Sequence, residues 1–303
     1  MIAVDHLTKR YAHVVAVDQL SFEVGPGRVT GFLGPNGAGK TTTLRMLLGL
    51  AAPDGGTATI DGVRYRDLPD PARRVGAALD NNCFHPGRSA LEHLRVMAAA
   101  AGIGRSRVAE VLGLTGLTEA RHRRVGGFSL GMRQRLTLAG ALLGDPGVLI
   151  MDEPLNGLDP DGIRWMRDLL RRLAGEGRTV LVSSHLLAEA AQTVDDVVVI
   201  NRGRLAAQGP VAELAATTST TRIRTPDTAR LLDALAGDGI SARLVTADTV
   251  ETRGADPDRV ARIAASAGVV VLELTRHTDN LEELFFELVS NRAGEPALEV
   301  SPS

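Results

Sequence analysis

Cysteine is almost missing from this chain. Cys83 is the single thiol among 303 residues, which excludes an intrachain disulfide and any cysteine-cluster metal site and fits a reducing compartment. Aromatic residues are scarce too: six Phe, two Tyr and one Trp supply no stacking platform along a nucleic-acid strand. No stretch of about 18 apolar residues occurs, so no segment is expected to span a membrane. The start, Met1-Ile2-Ala3-Val4-Asp5-His6, carries an acid where a secretory leader would carry an apolar run. Charge of one sign is lacking as well: 34 basic and 36 acidic residues leave a net −2, and no global basic field recruits nucleic acid. Lysine is the last absence. Lys9 and Lys40 are the only two, so 34 − 2 leaves 32 arginines. A lysine that persists against that bias marks a place where arginine does not serve.

What is present reads as an ordinary soluble globular protein, with 44% hydrophobic and 23% charged residues and length enough for about two domains. Residues 1–33 read as short strands and turns, among them the alternating Ser21-Phe22-Glu23-Val24 and the apolar Val29-Thr30-Gly31-Phe32-Leu33. Leu44, Leu47 and Leu48 then share one face of a helix running from Lys40 to Leu50. Residues 89–143 are mainly helical in pattern. Strands return at Val148–Met151, Thr179–Val182 and Val197–Ile200, with helices expected at about 163–174 and 186–193. Such alternation implies a parallel sheet covered on both faces. A polar, featureless stretch at 215–221 marks a domain boundary. Beyond it the order is strand (222–225), helix (227–236), strands (242–246 and 249–253), helix (256–267) and strand (269–274), the βαββαβ signature of a ferredoxin-like module. An amphipathic helix, 280–289, precedes a Pro/Ser tail expected to be disordered.

One loop carries chemistry outright. Gly34-Pro35-Asn36-Gly37-Ala38-Gly39-Lys40-Thr41 fits GxxxxGK[ST] without a mismatch, between a strand and a helix. Small residues let backbone N–H groups cradle phosphates, and the following helix adds its positive end. The Lys40 ammonium can reach the β/γ-phosphates, and the Thr41 hydroxyl can ligate Mg²⁺.

Four further motifs follow in order: Phe128-Ser129-Leu130-Gly131-Met132-Arg133-Gln134-Arg135, Val148-Leu149-Ile150-Met151-Asp152-Glu153-Pro154, Asn156-Gly157-Leu158-Asp159, and Ser183-Ser184-His185. With Tyr11 ahead of them, the set resembles the ATP-binding cassette (ABC) family: its LSGGQ signature, Walker B strand, D-loop, switch histidine and adenine-stacking aromatic. The resemblance covers residue 1 to about 214. It implies an α/β fold: a phosphate-loop NTPase (RecA-like) core with an antiparallel β subdomain and a helical insert at about 81–143. The ferredoxin-like domain (222–290) and the tail (291–303) follow.

The resemblance also implies roles. Lys40, Glu153 and His185 are the expected catalytic residues, with Glu153 acting on the attacking water and His185 reporting the γ-phosphate. Tyr11, Val17, residues Gly34 to Thr41, and Thr42 would hold ATP. Ser129, Gly131 and Asp159 would meet the nucleotide of a second, head-to-tail copy. Thr41, Asp152 and Asp80, which stands where the family's Q-loop has Gln, would face Mg²⁺. Leu130 and Met132 depart from the common signature toward that of bacterial drug- and peptide-antibiotic exporters. His6, His13, His93 and His277 have no ligand-like spacing and read as surface or packing residues.

The implied partners are a separate transmembrane permease subunit, docked on the insert between about 81 and 125, and a second ATP-binding subunit. Nucleic acid is not among them. The implied place is the cytoplasmic face of the membrane. A soluble cassette acting in translation or DNA transactions is the alternative, but the chain shows neither a second cassette nor a heptad arm.

Overall fold

The computed structural model describes residues 1–79, 84–185, 192–218, 220–277 and 298–299. Two long strands open the chain, β1 (Ile2–Tyr11) and β2 (Val14–Val24). The inward alternation of Ile2 and Val4 breaks at exposed Asp5 and His6, where His6 takes φ +45° and the register against β2 shifts. That bulge returns Leu7 to the core at 0% exposure. After β3 (Val29–Leu33) and α1 (Lys40–Leu47), β4 (Gly55–Ile60) completes an antiparallel sheet in the order β2-β1-β4.

The second sheet is built from β3, β5 (Val75–Ala78, preceded by the single-turn α2, Pro71–Arg74), β6 (Val148–Met151), β7 (Thr179–Ser184), β8 (Asp196–Asn201) and β9 (Arg204–Pro210). Its order is β9-β8-β3-β7-β6-β5, with Leu298–Glu299 pairing parallel to β9 as a seventh strand. The five strands from β8 to β5 are mutually parallel. β3, β6 and β7 are buried along their whole length, which is why they read as apolar runs and not as alternation. Between β5 and β6 lie α3 (Ala90–Ala100), α4 (Arg105–Leu114) and α5 (Leu130–Ala141). A reciprocal cap starts α3: Ser89 Oγ accepts from the Glu92 N–H at 3.2 Å, and Glu92 Oε2 accepts from the Ser89 N–H at 2.8 Å. The amphipathic α6 (Pro160–Gly175) follows β6 and buries Met166, Leu169, Leu170 and Leu173. The helix expected at 186–193 lies largely outside the described residues.

The chain divides into two units, residues 1–208 with 295–299, and 209–294 with 300–303. The second unit begins with α7 (Val211–Thr218), which leads within two residues into β10 (Thr220–Arg224). The stretch expected to be featureless is therefore structured: alanines carry the helix, and the β-branched Thr220 and Thr221 are buried in the strand. Then come α8 (Thr228–Gly237), β11 (Ala242–Thr246), β12 (Thr249–Arg253), α9 (Pro257–Ser266) and β13 (Glu273–His277). The antiparallel sheet has the order β11-β12-β10-β13, the ferredoxin-like arrangement expected from the element order. Ile223, Leu231, Leu235, Val250, Val260 and Ala264 form its core. The last strand starts four residues later than expected. Gly268 (φ +66°) and Val269 close α9, with the Val269 N–H donating to the Ala264 carbonyl at 2.9 Å, so Val269 is a buried helix stop and not a strand start. On β12, Glu251 is 3% exposed and accepts from Arg222 Nε at 2.9 Å and Arg243 Nη2 at 2.6 Å.

Candidate functional site

The chemistry collects at the carboxyl ends of β3, β6 and β7, where an open parallel sheet offers a crevice. The turn after β3 has room only for glycine at several points. A Cβ on Gly34 would lie 2.5 Å from the Ile200 carbonyl oxygen. Gly39, at φ +106°, would place one 2.4 Å from the carbonyl oxygen of Ala16, and Gly37 takes φ +82°. Pro35 and Asn36 form the outer part of the loop, and Ala38 is buried beneath it, its carbonyl accepting from the Gly203 N–H. Lys40 is the first residue of α1 and only 6% exposed. Its Nζ donates to the carbonyls of Gly34 at 2.6 Å and Pro35 at 3.2 Å. Burial pulls the Lys40 ammonium below its ordinary pKa, against the opposing pull of the Glu153 and Asp152 carboxylates. A desolvated ammonium of this kind has much to gain from phosphate oxygens. Thr42, half-buried, follows Thr41 on the same first turn.

Strand register brings the acids to the same place. Met151 pairs with Val182, so Asp152 and Ser183 stand side by side past the paired ends of β6 and β7. Thr41 Oγ1 donates to Asp152 Oδ2 at 2.7 Å, and the Ser183 hydroxyl donates to Asp152 Oδ1. The Glu153 N–H in turn donates to Ser183 Oγ at 2.9 Å. Glu153 takes φ +50°, a left-handed backbone that costs a non-glycine residue about 1–2 kcal/mol and is held here by those contacts. That conformation carries its carboxylate back toward the loop: Oε1 lies 3.7 Å from Lys40 Nζ, and Oε2 accepts from His185 Nδ1 at 2.9 Å. Lys40, Thr41, Asp152, Glu153 and His185 are thus one connected group. The Ser183 hydroxyl joins it. Its role was not legible from the motif alone and follows from the register of two strands.

The signature residues form a second group. Ser129 caps α5 by accepting from the Met132 N–H at 3.2 Å, and Asp159 caps α6 by accepting from the Gly162 N–H at 2.8 Å. The two motifs pack on each other. A Cβ on Gly131 would sit 3.4 Å from Leu158, one on Gly157 would sit 2.2 Å from Leu130, and Gln134 Nε2 donates to the Asn156 carbonyl at 3.4 Å.

Tyr11 ends β1 with its side chain 48% exposed, beside exposed Val14 and Val15. The same strand pair reaches the phosphate loop through Ala16, whose carbonyl abuts Gly39. Val17, expected to hold ATP, is 0% exposed, within the core and against Gly39, so it backs the loop from beneath. Asp80 lies outside the described residues, as does Cys83.

Comparison with known proteins gives the family. A family model described as ABC transporter matches residues 17–156, and one described as a domain of unknown function matches residues 219–282. The chain is 44% identical to the bacitracin transport ATP-binding protein BcrA of Bacillus licheniformis, over 71% of this chain and 71% of that protein. It is 37% identical to the Nod factor export ATP-binding protein I of Burkholderia orbicola, over 93% of this chain and 95% of that one. Among solved structures, an ATP-binding subunit of an ABC transporter superposes with a TM-score of 0.64 at 26% identity, over 87% of this chain and 99% of that one. Among the described residues no helix is long and apolar enough to cross a membrane. The chain belongs to the ATP-binding subunits of ABC transporters, and it is an ATP hydrolase.

Proposed function

We propose that this chain energises an exporter whose membrane-spanning part is a separate subunit, working as one of two ATP-binding subunits on the cytoplasmic face. The observation that carries the catalytic part is the connected group of Lys40, Thr41, Asp152, Glu153 and His185. The γ-phosphate of ATP lies against the Lys40 ammonium and the loop N–H groups. Glu153, oriented by His185 and by its own left-handed backbone, accepts the proton of the attacking water. The residues fit Mg²⁺. The Thr41 hydroxyl and the Asp152 carboxylate, already paired at 2.7 Å, are oxygen donors of the kind that would hold the ion beside the phosphates. Among the described residues no cluster of three or more His, Cys, Asp or Glu side chains stands ready for a metal, which suits an ion that takes its other ligands from phosphate and water. Such an ion, once bound, neutralises charge developing on the β- and γ-oxygens.

Ser129, Gly131 and Asp159, placed together by the packing of α5 on the loop before α6, are the surface offered to the nucleotide of the second subunit. Tyr11 offers its exposed ring to the adenine. For the membrane partner the surface is a cleft of about 590 Å³ lined by Leu48, Leu50, Tyr65, Phe84 and Met97, with Leu50 68% and Met97 39% exposed. The similarity to proteins named for bacitracin transport and Nod factor export supports export as the direction. The test is co-purification of the chain with a hydrophobic membrane protein encoded beside it, followed by reconstitution in vesicles. Cargo movement that needs Mg-ATP and stops with Glu153→Gln is the expected result. A chain that purifies alone and hydrolyses ATP only when ribosomes or DNA are added overturns it.

A further inference from the structure

The second lysine has a structural reason of its own. Lys9 lies on β1 two residues before Tyr11, and its side chain is only 15% exposed. Nζ donates to the Ala52 carbonyl at 2.7 Å and to Asp54 Oδ1 at 3.0 Å, and stands 5.4 Å from the centre of the Tyr11 ring. Asp54 is itself fixed at both ends. Its Oδ2 accepts from the Arg10 N–H at 2.6 Å, and its own N–H donates to the Thr8 carbonyl at 2.9 Å. The Arg10 N–H, and after it the Lys9 ammonium, hold the Asp54 carboxyl below its ordinary range. The ammonium is therefore immobilised by two oxygens with the aromatic ring on a third side, a compact arrangement that suits three donors on one nitrogen and not a planar guanidinium.

Local register places this clamp beside the phosphate loop. Lys9 pairs with Val17 and Arg10 with Val15, so Ala16 is the extra residue of a bulge, and it is the Ala16 carbonyl that meets Gly39. One short piece of ribbon thus touches the loop on one side and carries Tyr11 on the other. Ala52 and Asp54 lie on the segment leaving the far end of α1, so Lys9 anchors the ring to a fixed part of the fold away from the phosphates.

We infer that Lys9 is a positioning residue for the purine base: it fixes the Tyr11 ring, occupies one of its faces and leaves the other for the base of ATP. The inference rests on Tyr11 being the base platform. The ammonium acts through the ring and makes no contact with phosphate, so its contribution belongs to the nucleoside part of the ligand.

The experiment uses the purified full-length chain and two ligands, Mg-ATP and inorganic triphosphate with Mg²⁺, in wild type, Lys9→Met, Asp54→Asn, Tyr11→Ala and the Lys9→Met/Tyr11→Ala double variant. Loss of the cation should weaken ATP binding about three- to tenfold, the scale of a partly desolvated cation–π contact, with kcat within about twofold. Triphosphate affinity should not move, and Asp54→Asn should shift ATP in the same direction by less. The double variant should bind ATP no more weakly than Tyr11→Ala alone. An unchanged ATP affinity in Lys9→Met, additive losses in the double variant, or an equal loss for triphosphate overturns the role of Lys9. An unchanged affinity in Tyr11→Ala removes the platform itself, and the inference with it.

Discussion

The Thr41 hydroxyl donates to Asp152 across 2.7 Å, joining the start of the phosphate-loop helix to a strand end 111 positions away. Through Ser183 the same carboxylate is linked to the Glu153 backbone, and through its side chain Glu153 is linked to His185 and Lys40. On the proposed roles, a change at any member of the group should reach the side chains that handle water and the γ-phosphate.

Glu153→Gln keeps the shape and loses the base. The variant should bind Mg-ATP within a few-fold of wild type and hydrolyse it about a hundredfold more slowly or worse, since that is the range a general base supplies. Single-turnover hydrolysis by the purified chain checks this, and size-exclusion chromatography with ATP should show an accumulated dimer. Turnover near that of wild type removes Glu153 from the role.

Lys40→Arg keeps the charge and loses the fit. With the residue 6% exposed and its nitrogen between two carbonyls, a wider, planar guanidinium has no room in the loop. Nucleotide affinity should fall about tenfold or more, read by titration with a fluorescent ATP analogue, because one bulky group displaces several phosphate contacts.

Ser183→Ala tests the link that strand register exposes. It leaves the Glu153 N–H and one Asp152 oxygen without their partner, a cost of about 1–3 kcal/mol for buried groups. The expected result is a kcat about tenfold lower with KM within about twofold, a positioning effect on a base whose own chemistry is intact. A drop in KM alone contradicts the link.

His93 predicts a pH dependence of stability. Burial, and then the charge of Arg88, hold its imidazole below the ordinary value of 6.5, where it packs edge-on against Phe84 at 4.9 Å. The folded chain therefore favours the neutral ring. Its contribution is complete above about pH 6.5 and is lost as pH falls from there through the depressed folded value. The urea midpoint of wild type should drop between pH 7.5 and 5 by more than that of His93→Gln. Equal slopes exclude the effect.

Much of this was legible in the linear chain because the informative motifs are local. A glycine-rich turn between an apolar strand and a helix has one physical use, and Lys40 and Thr41 sit where that use requires them. The acids were legible in identity but not in arrangement: that Ser183 bridges Asp152 and Glu153 depends on pairing between two strands separated by α6. The burial of Val17 was not legible because an apolar residue near a ligand loop reads the same whether it faces the ligand or the core. The late start of β13 has a similar origin, since Val269 to Leu272 is an apolar run and only the left-handed Gly268 reveals that its first residue still belongs to the helix stop. Lys9 stood out by rarity, but its use needed the distances to Ala52, Asp54 and Tyr11.

The packing of Leu130 on Gly157 separates a yielding restriction from a fixed one. A Cβ at position 157 would meet a Leu130 methyl at 2.2 Å, but that methyl is the far end of a side chain 47% exposed and free to turn aside. The backbone at φ +72° has no such freedom, and a left-handed alanine there costs about 1 kcal/mol. Glycine at 157 is therefore required by its own backbone, and Leu130 follows the shape of the turn instead of dictating it.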